Sequence, residues 1–311
     1  MNLFITFLLL IIGFVLLVKG SDVFVDGSVS VAKLLRVPAV IIGLTIVSMG
    51  TSAPEAAVSI TAGIKGSNEI AISNLVGSNT FNILCVAGVS ALITPFIVDK
   101  TVLKRDFPVS IAVMALASVM AFTGSTVTRI EGVILLVIFI AYIAYLIRNA
   151  IINREKSNNN EKPMSPVKSI LYIIIGLAAI VGGGQLVVES AKVIAKTFGM
   201  SETLIGVTIV AIGTSLPELV TSIVAAYKGQ SEIAIGNVVG SNIFNIAFVL
   251  ALSSSFTPIV VVNEAMIDNL IMIAVNALGF VFCLTGKKLN RIEGAGMIAI
   301  YVIYTVYLLM R

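Results

Sequence analysis

One hexapeptide occurs twice in this chain: Gly50-Thr51-Ser52-Ala53-Pro54-Glu55 and, 163 positions on, Gly213-Thr214-Ser215-Leu216-Pro217-Glu218. Both copies lie inside long apolar runs. An ionisable residue in such a run costs a few kcal/mol to place in a membrane, so it marks function by default. The proline just before each acid removes a backbone donor and breaks the helix, leaving carbonyls free to bind something. Two broken helices, each with a carboxylate and two hydroxyls, predict a buried cation site.

The rest of the chain fits a membrane setting. It is 58% hydrophobic and only 12% charged, with a mean hydropathy of +1.08. Soluble domains carry about 25% charged residues. Long apolar blocks exclude a barrel, whose strands alternate over segments of about ten residues. At about 20 residues per span there is room for about ten helices, an all-α integral membrane protein. There is no histidine, which argues against a His-ligated transition metal or a His base. Cys85 and Cys283 lie in apolar runs and read as packing residues. The net charge of +4 reports topology here and not a nucleic-acid partner.

Spans are expected at about 4–18, 38–62, 70–94, 107–123 and 130–147. The first reads as a retained span and not a signal peptide, since no cleavage site follows it. Lys19 to Arg36 is more polar, and Asp26 with its counterpart Glu189 reads as interfacial. Gly66-Ser67-Asn68-Glu69 reads as a turn. Residues 148–168 are polar and Asn-rich with two prolines, the one clear linker. It separates a five-helix repeat at 1–147 from a second at 169–311.

The repetition runs the length of the chain. Gly43 and Thr45 match Gly206 and Thr208, Ser59 matches Ser222, Glu69 matches Glu232 and Pro95 matches Pro258. Val76-Gly77-Ser78-Asn79-Thr80-Phe81-Asn82 recurs as Val239-Gly240-Ser241-Asn242-Ile243-Phe244-Asn245. Arg129-Ile130-Glu131-Gly132 recurs as Arg291-Ile292-Glu293-Gly294, now one position closer. Duplication accounts for this pattern.

An odd number of spans per half means that the halves have opposite orientations, an inverted repeat. Basic residues test the sidedness. With the linker cytoplasmic, the inside holds Lys33, Arg36, Lys100, Lys104, Arg105, Arg148, Arg154, Lys156, Lys162, Lys168, Lys228, Lys287, Lys288 and Arg291. The outside holds Lys65, Arg129, Lys192, Lys196 and Arg311, with Lys19 unassigned. This 14-to-5 split of the 20 basic residues obeys the positive-inside rule and predicts both termini outside.

Hard cations such as Ca²⁺ and Na⁺ take oxygen ligands. The repeats offer Thr51, Ser52 and Glu55 with Thr214, Ser215 and Glu218. Ser78 and Asn82 are four apart and share a helix face, and Ser241 and Asn245 repeat the arrangement. A single Ser or Thr in a membrane helix usually back-bonds to its own carbonyls. A pair of duplicated, Pro-flanked glutamates is much harder to explain as structure alone. A channel would want ligands on one symmetric axis, whereas an inverted repeat favours alternating access. An enzyme is disfavoured, since there is neither a His-Glu-x-x-His pair nor a Ser/His constellation.

Gly-Thr-Ser-x-Pro-Glu followed by Gly-Ser-Asn-x-Phe-Asn, in two inverted copies, resembles the alpha-repeats of the sodium/calcium exchanger family, within the cation/calcium exchanger superfamily. The resemblance covers essentially the whole chain and suggests a prokaryotic calcium/sodium antiporter. It implies ten helices and a central site exchanging several Na⁺ for one Ca²⁺ across the plasma membrane, with no cofactor or protein partner. The implied ligands are Glu55 and Glu218, with hydroxyls of Thr51, Ser52, Thr214 and Ser215. Ser78 and Ser241 would line the site, with backbone carbonyls at Ser48 and Ala211. Asn82 and Asn245 join the set, and Asn at 245, where some relatives carry Asp, resembles the potassium-independent exchangers. The proton/calcium branch usually reads Gly-Asn-x-x-Glu where this chain has Gly-Thr-Ser-x-Pro-Glu, which argues against the alternative reading, a proton-coupled cation antiporter with Glu55 or Glu218 as the proton carrier.

Overall fold

The computed structural model describes residues 3–152, 162–200, 205, 209 and 211–310. Gly206, Thr208, Arg154, Lys156 and Arg311 lie outside them. Lipid offers the backbone no hydrogen bonds, so each spanning segment has to satisfy its own. The chain does so in helices α1 (Leu3–Leu35), α2 (Ala39–Thr51), α3 (Ala53–Ile64), α4 (Asn68–Ile93), α5 (Val102–Gly124) and α6 (Arg129–Ile152). The second repeat supplies α7 (Pro166–Thr197), α8 (Ala211–Thr214), α9 (Leu216–Tyr227), α10 (Ser231–Phe256), α11 (Asn263–Leu284) and α12 (Arg291–Met310).

Among the described residues eight helices are long and apolar enough to cross a membrane, and the pair α2–α3, bent by 53°, makes a ninth. The counterpart of that pair is α8–α9. Among the described residues this gives nine candidate spans with the short α8–α9 pair beside them, in agreement with the two-repeat plan of about ten helices expected from the sequence for an all-α membrane protein. One detail differs. The first helix is not confined to the apolar run at 4–18 but continues through Lys19 to Leu35, because Ser21, Asp22, Asp26 and Ser30 of its second half have partners in the protein. Helix α6 likewise continues to Ile152 and α7 begins at Pro166, so both overlap the stretch read as a linker.

Helices α1 and α7 occupy equivalent places in the two repeats and cross in contact. A Cβ on Gly13 would lie 2.9 Å from the Gly183 carbonyl oxygen, one on Gly20 3.0 Å from that of Gly176, and one on Gly27 3.0 Å from that of Ser169. Numbers rise along one helix as they fall along the other, so equivalent helices run in opposite senses. Small residues allow this approach, and in lipid close packing and not hydrophobicity drives association.

The loops repeat the inversion. Strand β1 (Phe96–Ile97) pairs antiparallel with β4 (Lys288–Leu289), and β2 (Thr126–Val127) with β3 (Ile259–Val260). Each strand of one repeat thus meets a strand of the other. Large apolar side chains such as Phe4, Ile11, Val137 and Ile303 are exposed on the outer helices, while α4 and α10 form the enclosed centre. Of their most apolar 18-residue windows, 78% and 94% is buried, against 22% for α1. These two helices carry the duplicated Ser and Asn residues.

Candidate cation site

The proline breaks build the site. Pro54 and Pro217 stand in the first turns of α3 and α9. Neither can donate to the carbonyl four residues earlier, so Gly50 and Gly213 lose a helical partner. Ser52 (φ −80°, ψ 7°) and Ser215 (φ −92°, ψ 7°) leave helical geometry at the two breaks. The carbonyl end of α2 therefore faces inward, next to the amino end of α3, where Glu55 lies. A helix C-terminus attracts a cation and an N-terminus stabilises a carboxylate.

Glu55 and Glu218 are both fully enclosed, 1% and 0% exposed. Each is held from the opposite repeat. Ser52 Oγ donates to Glu218 Oε1 at 2.7 Å, and Ser215 Oγ donates to Glu55 Oε1 at 2.8 Å. Ser215 Oγ also lies 3.1 Å from Ser78 Oγ. Thr51 Oγ1 donates to Asn237 Oδ1 at 3.0 Å, and Thr214 Oγ1 to Asn74 Oδ1 at 3.4 Å. These hydroxyls spend their protons on protein acceptors, so their oxygen lone pairs remain to meet a cation.

The asparagines of α4 and α10 form the other wall. Asn82 and Asn245 each open a widened π-helical stretch, Asn82–Val86 and Asn245–Leu250, a distortion often found at functional sites. Asn82 Nδ2 donates to Asn242 Oδ1 at 3.2 Å, and Asn245 Nδ2 to Asn79 Oδ1 at 3.0 Å. Four of the buried side-chain oxygens that have no hydrogen-bond partner among the described residues meet here: Glu55 Oε2, Glu218 Oε2, Asn82 Oδ1 and Asn245 Oδ1. A buried polar atom left unpaired is costly and calls for an explanation, and an oxygen-seeking cation supplies one.

The sequence-expected residues fall as follows. Ser52, Ser215, Ser78, Glu55 and Glu218 meet in one hydrogen-bonded cluster. Ser241 lies in α10, its hydroxyl 3.4 Å from the Ser48 carbonyl, which also accepts from Ser52 N at 3.0 Å. Ala211 begins the described part of α8. Sequence reasoning passed over Asn74 and Asn237. Asn74 Nδ2 donates to Ser59 Oγ (2.8 Å) and to the Glu55 carbonyl (3.3 Å), and Asn237 Nδ2 to Ser222 Oγ (2.9 Å) and the Glu218 carbonyl (3.4 Å). Both sit at equivalent repeat positions, the signal that would have found them. No group of three or more His, Cys, Asp or Glu residues placed to hold a metal occurs among the described residues. The acid in the site therefore amounts to two carboxylates.

Comparison with known proteins places the whole chain in a family. The family model described as sodium/calcium exchanger protein matches residues 5–148 and 168–310. The chain belongs to the sodium/calcium exchanger family. As a member of that family it is a cation/calcium exchanger and a multi-pass membrane transporter, not an enzyme. It is 35% identical to sodium/calcium exchanger MaX1 of Methanosarcina acetivorans over 98% of each chain. It is 38% identical to the putative antiporter CaxA of Alkalimonas amylolytica, over 94% of this chain and 95% of that one. The structure of the sodium-calcium exchanger NCX_Mj soaked with zero Na⁺ and Ca²⁺ superposes with a TM-score of 0.86 at 35% identity, covering 98% of this chain and 99% of that one. A second, soaked with 2.5 mM Na⁺ and 0.1 mM Ca²⁺, gives 0.84 over 96% and 97%.

Proposed function

We propose that this exchanger is a secondary active antiporter that moves Na⁺ against Ca²⁺ by alternating access, with both ions as cargo. The observation that carries this is the pair of buried glutamates, each with one oxygen held by a serine of the opposite repeat and the other unpartnered among the described residues. Two carboxylates match the charge of one Ca²⁺, and the surrounding oxygens suit either ion. Thr51, Ser52, Ser78 and Asn82, with Thr214, Ser215, Ser241 and Asn245, complete the ligand set, aided by carbonyls at Ser48 and Ala211. Because each acid is tied to the other repeat, a movement of one repeat against the other remakes the site. Relatives named as sodium/calcium exchangers support Na⁺ as the coupling ion.

In the same reading residues 1–147 and 169–311 are the two functional repeats. The joining segment faces the cytoplasm, both termini face outward, and the membrane is the plasma membrane. The distribution of basic residues supports this orientation. A cysteine at Lys65 should then react with impermeant thiol reagents on intact cells, and one at Lys162 should not.

The test of function is radioactive Ca²⁺ uptake into Na⁺-loaded proteoliposomes. An outward Na⁺ gradient at fixed pH drives uptake, and a pH gradient alone does not. Uptake driven by pH in Na⁺-free buffer would replace Na⁺ by H⁺ as the coupling ion.

A further inference from the structure

Behind the cation site, α11 contributes the most deeply buried of its polar residues, Asn276, which is 1% exposed. Its Nδ2 donates to the Met272 carbonyl one turn earlier, at 2.8 Å. A backbone carbonyl can only accept, so this bond fixes which way the amide faces. The Asn276 Oδ1 is thereby turned to α10, where it accepts from Asn242 Nδ2 at 2.8 Å. Asn242 Nδ2 also donates to the Asn79 carbonyl at 3.3 Å. Its own Oδ1 is left to accept from Asn82 Nδ2 at 3.2 Å. Asn82, with its NH₂ committed, presents the unpartnered Oδ1. Each amide has one donor end and one acceptor end, so the orientation set at Met272 passes through Asn276 and Asn242 to Asn82.

The first repeat lacks the opening link. Ile111-Ala112-Val113-Met114-Ala115-Leu116 recurs as Ile273-Ala274-Val275-Asn276-Ala277-Leu278, with the same shortened spacing as the Arg-Ile-Glu-Gly pair. Met114, fully buried, stands where Asn276 would be. On that side Asn79 Nδ2 donates to the Asn242 carbonyl at 3.2 Å, and Asn79 Oδ1 receives Asn245 with no third amide behind it.

We propose that Asn276 is a positioning residue for the transported cation, holding the Asn82 carbonyl oxygen toward the ion by fixing the Asn242 amide. It touches no cargo itself. The proposal rests on the reading that the cations bind among Glu55, Glu218, Asn82 and Asn245, and it makes the two amide ligands unequal. Without Asn276, the Asn242 amide is held by one fixed acceptor instead of two, and Asn82 turns its NH₂ toward the cation in a larger share of molecules.

The test is equilibrium binding of radioactive Ca²⁺ to the purified full chain, with Na⁺ measured by competition. The variants are Asn276→Met (the residue of the first repeat), Asn276→Ser, Asn82→Ala and the Asn82→Ala/Asn276→Met double. Losing one hydrogen bond of the relay should weaken Ca²⁺ binding about fivefold in Asn276→Met. Serine can donate to the carbonyl one turn back and still accept from Asn242, so Asn276→Ser should keep most of the affinity. With Asn82 gone, Asn276→Met should change the affinity little, because the two residues act in series. An unchanged affinity in Asn276→Met, with or without a lower melting temperature, overturns the proposal, as does an equal loss in both backgrounds. If Asn276→Met does not fold, Asn276→Ala takes its place in both comparisons. The binding readout does not depend on the coupling ion. A protein that binds Ca²⁺ but shows no Na⁺-driven uptake defeats the antiport reading alone, and one that binds neither ion defeats both.

Discussion

Ser52 of the first repeat donates its hydroxyl proton to Glu218 Oε1 of the second at 2.7 Å, and the mirrored contact joins Ser215 to Glu55. Neither repeat therefore completes its own carboxylate. A hydrogen bond to a charged group contributes about 1.5–3 kcal/mol. Ser52→Ala and Ser215→Ala should each raise the KM for Ca²⁺ by about 10- to 100-fold, with similar losses because the contacts are equivalent. Measured uptake kinetics in which only one serine matters would show that the repeats are used unequally.

The glutamates themselves carry the charge that a dication needs. Glu55→Gln or Glu218→Gln leaves a bound Ca²⁺ with one compensating carboxylate in an enclosed site, a loss of several kcal/mol. Each variant should fold, since the amide can still accept from the serine, and should show no Ca²⁺ exchange in proteoliposomes. Near-normal uptake in either would remove that residue from the site.

Much of this was legible because the chain states its design twice. The repeated hexapeptide marked both breaks, and the recurrence of Ser78, Asn82, Ser241 and Asn245 picked out the two central helices. The contacts between the repeats were not legible. Thr51 with Asn237, or Asn79 with Asn242, are joined by three-dimensional inversion, which leaves no local period in the sequence. Asn74 and Asn237 could have been flagged as a repeated pair, but an Asn in a membrane helix has many uses and spacing does not choose among them. The polar half of α1 was hidden for a related reason. Its Asp22 and Asp26 are matched by Lys228, which lies far along the chain in the other repeat.

The glycine contact between α1 and α7 tolerates little. A Cβ on Gly20 would lie 2.8 Å from the Ala179 Cβ and 3.0 Å from the Gly176 carbonyl, and the backbone has no room to yield. Gly20→Val should cost about 1–3 kcal/mol by overpacking, seen as a lower melting temperature in detergent. Gly182→Ala is the control, since a Cβ there meets nothing within 4 Å, and it should melt like the parent.

Lys228, just past α9, reaches Asp26 Oδ1 at 2.6 Å and Asp22 Oδ1 at 2.7 Å. Partial burial alone would lower its pKa, but the hydrogen bonds and charges of Asp22 and Asp26 outweigh it, and the net shift is upward. A raised folded-state pKa gives stability that is complete below the unfolded lysine value of about 10.4 and is lost as pH rises through the folded value. Both acids are half exposed, so each pair is worth about 0.2–1 kcal/mol. Lys228→Met should therefore melt slightly lower than the parent at neutral pH, with the gap closing above pH of about 10.4. A gap that persists at high pH would assign it to packing of the aliphatic stem.

The charge of the site predicts its response to voltage. With Glu55 and Glu218 ionised, one bound Ca²⁺ makes the site neutral, so Ca²⁺/Ca²⁺ exchange should not depend on membrane potential. A site holding three Na⁺ carries one net charge, worth up to about 2.3 kcal/mol per 100 mV if it crosses the full field. Asn245→Asp should leave this count unchanged. Asn245 Nδ2 donates to Asn79 Oδ1 at 3.0 Å, and a carboxyl group can replace that donor only by keeping its proton. The measurement is Ca²⁺/Ca²⁺ exchange in Na⁺-free vesicles at clamped diffusion potentials. Rates independent of potential are expected for both the parent and Asn245→Asp. Voltage dependence in the variant alone would mean that the introduced acid ionises and that Asn79 has turned its amide to meet it. Voltage dependence in the parent would refute the two-carboxylate count.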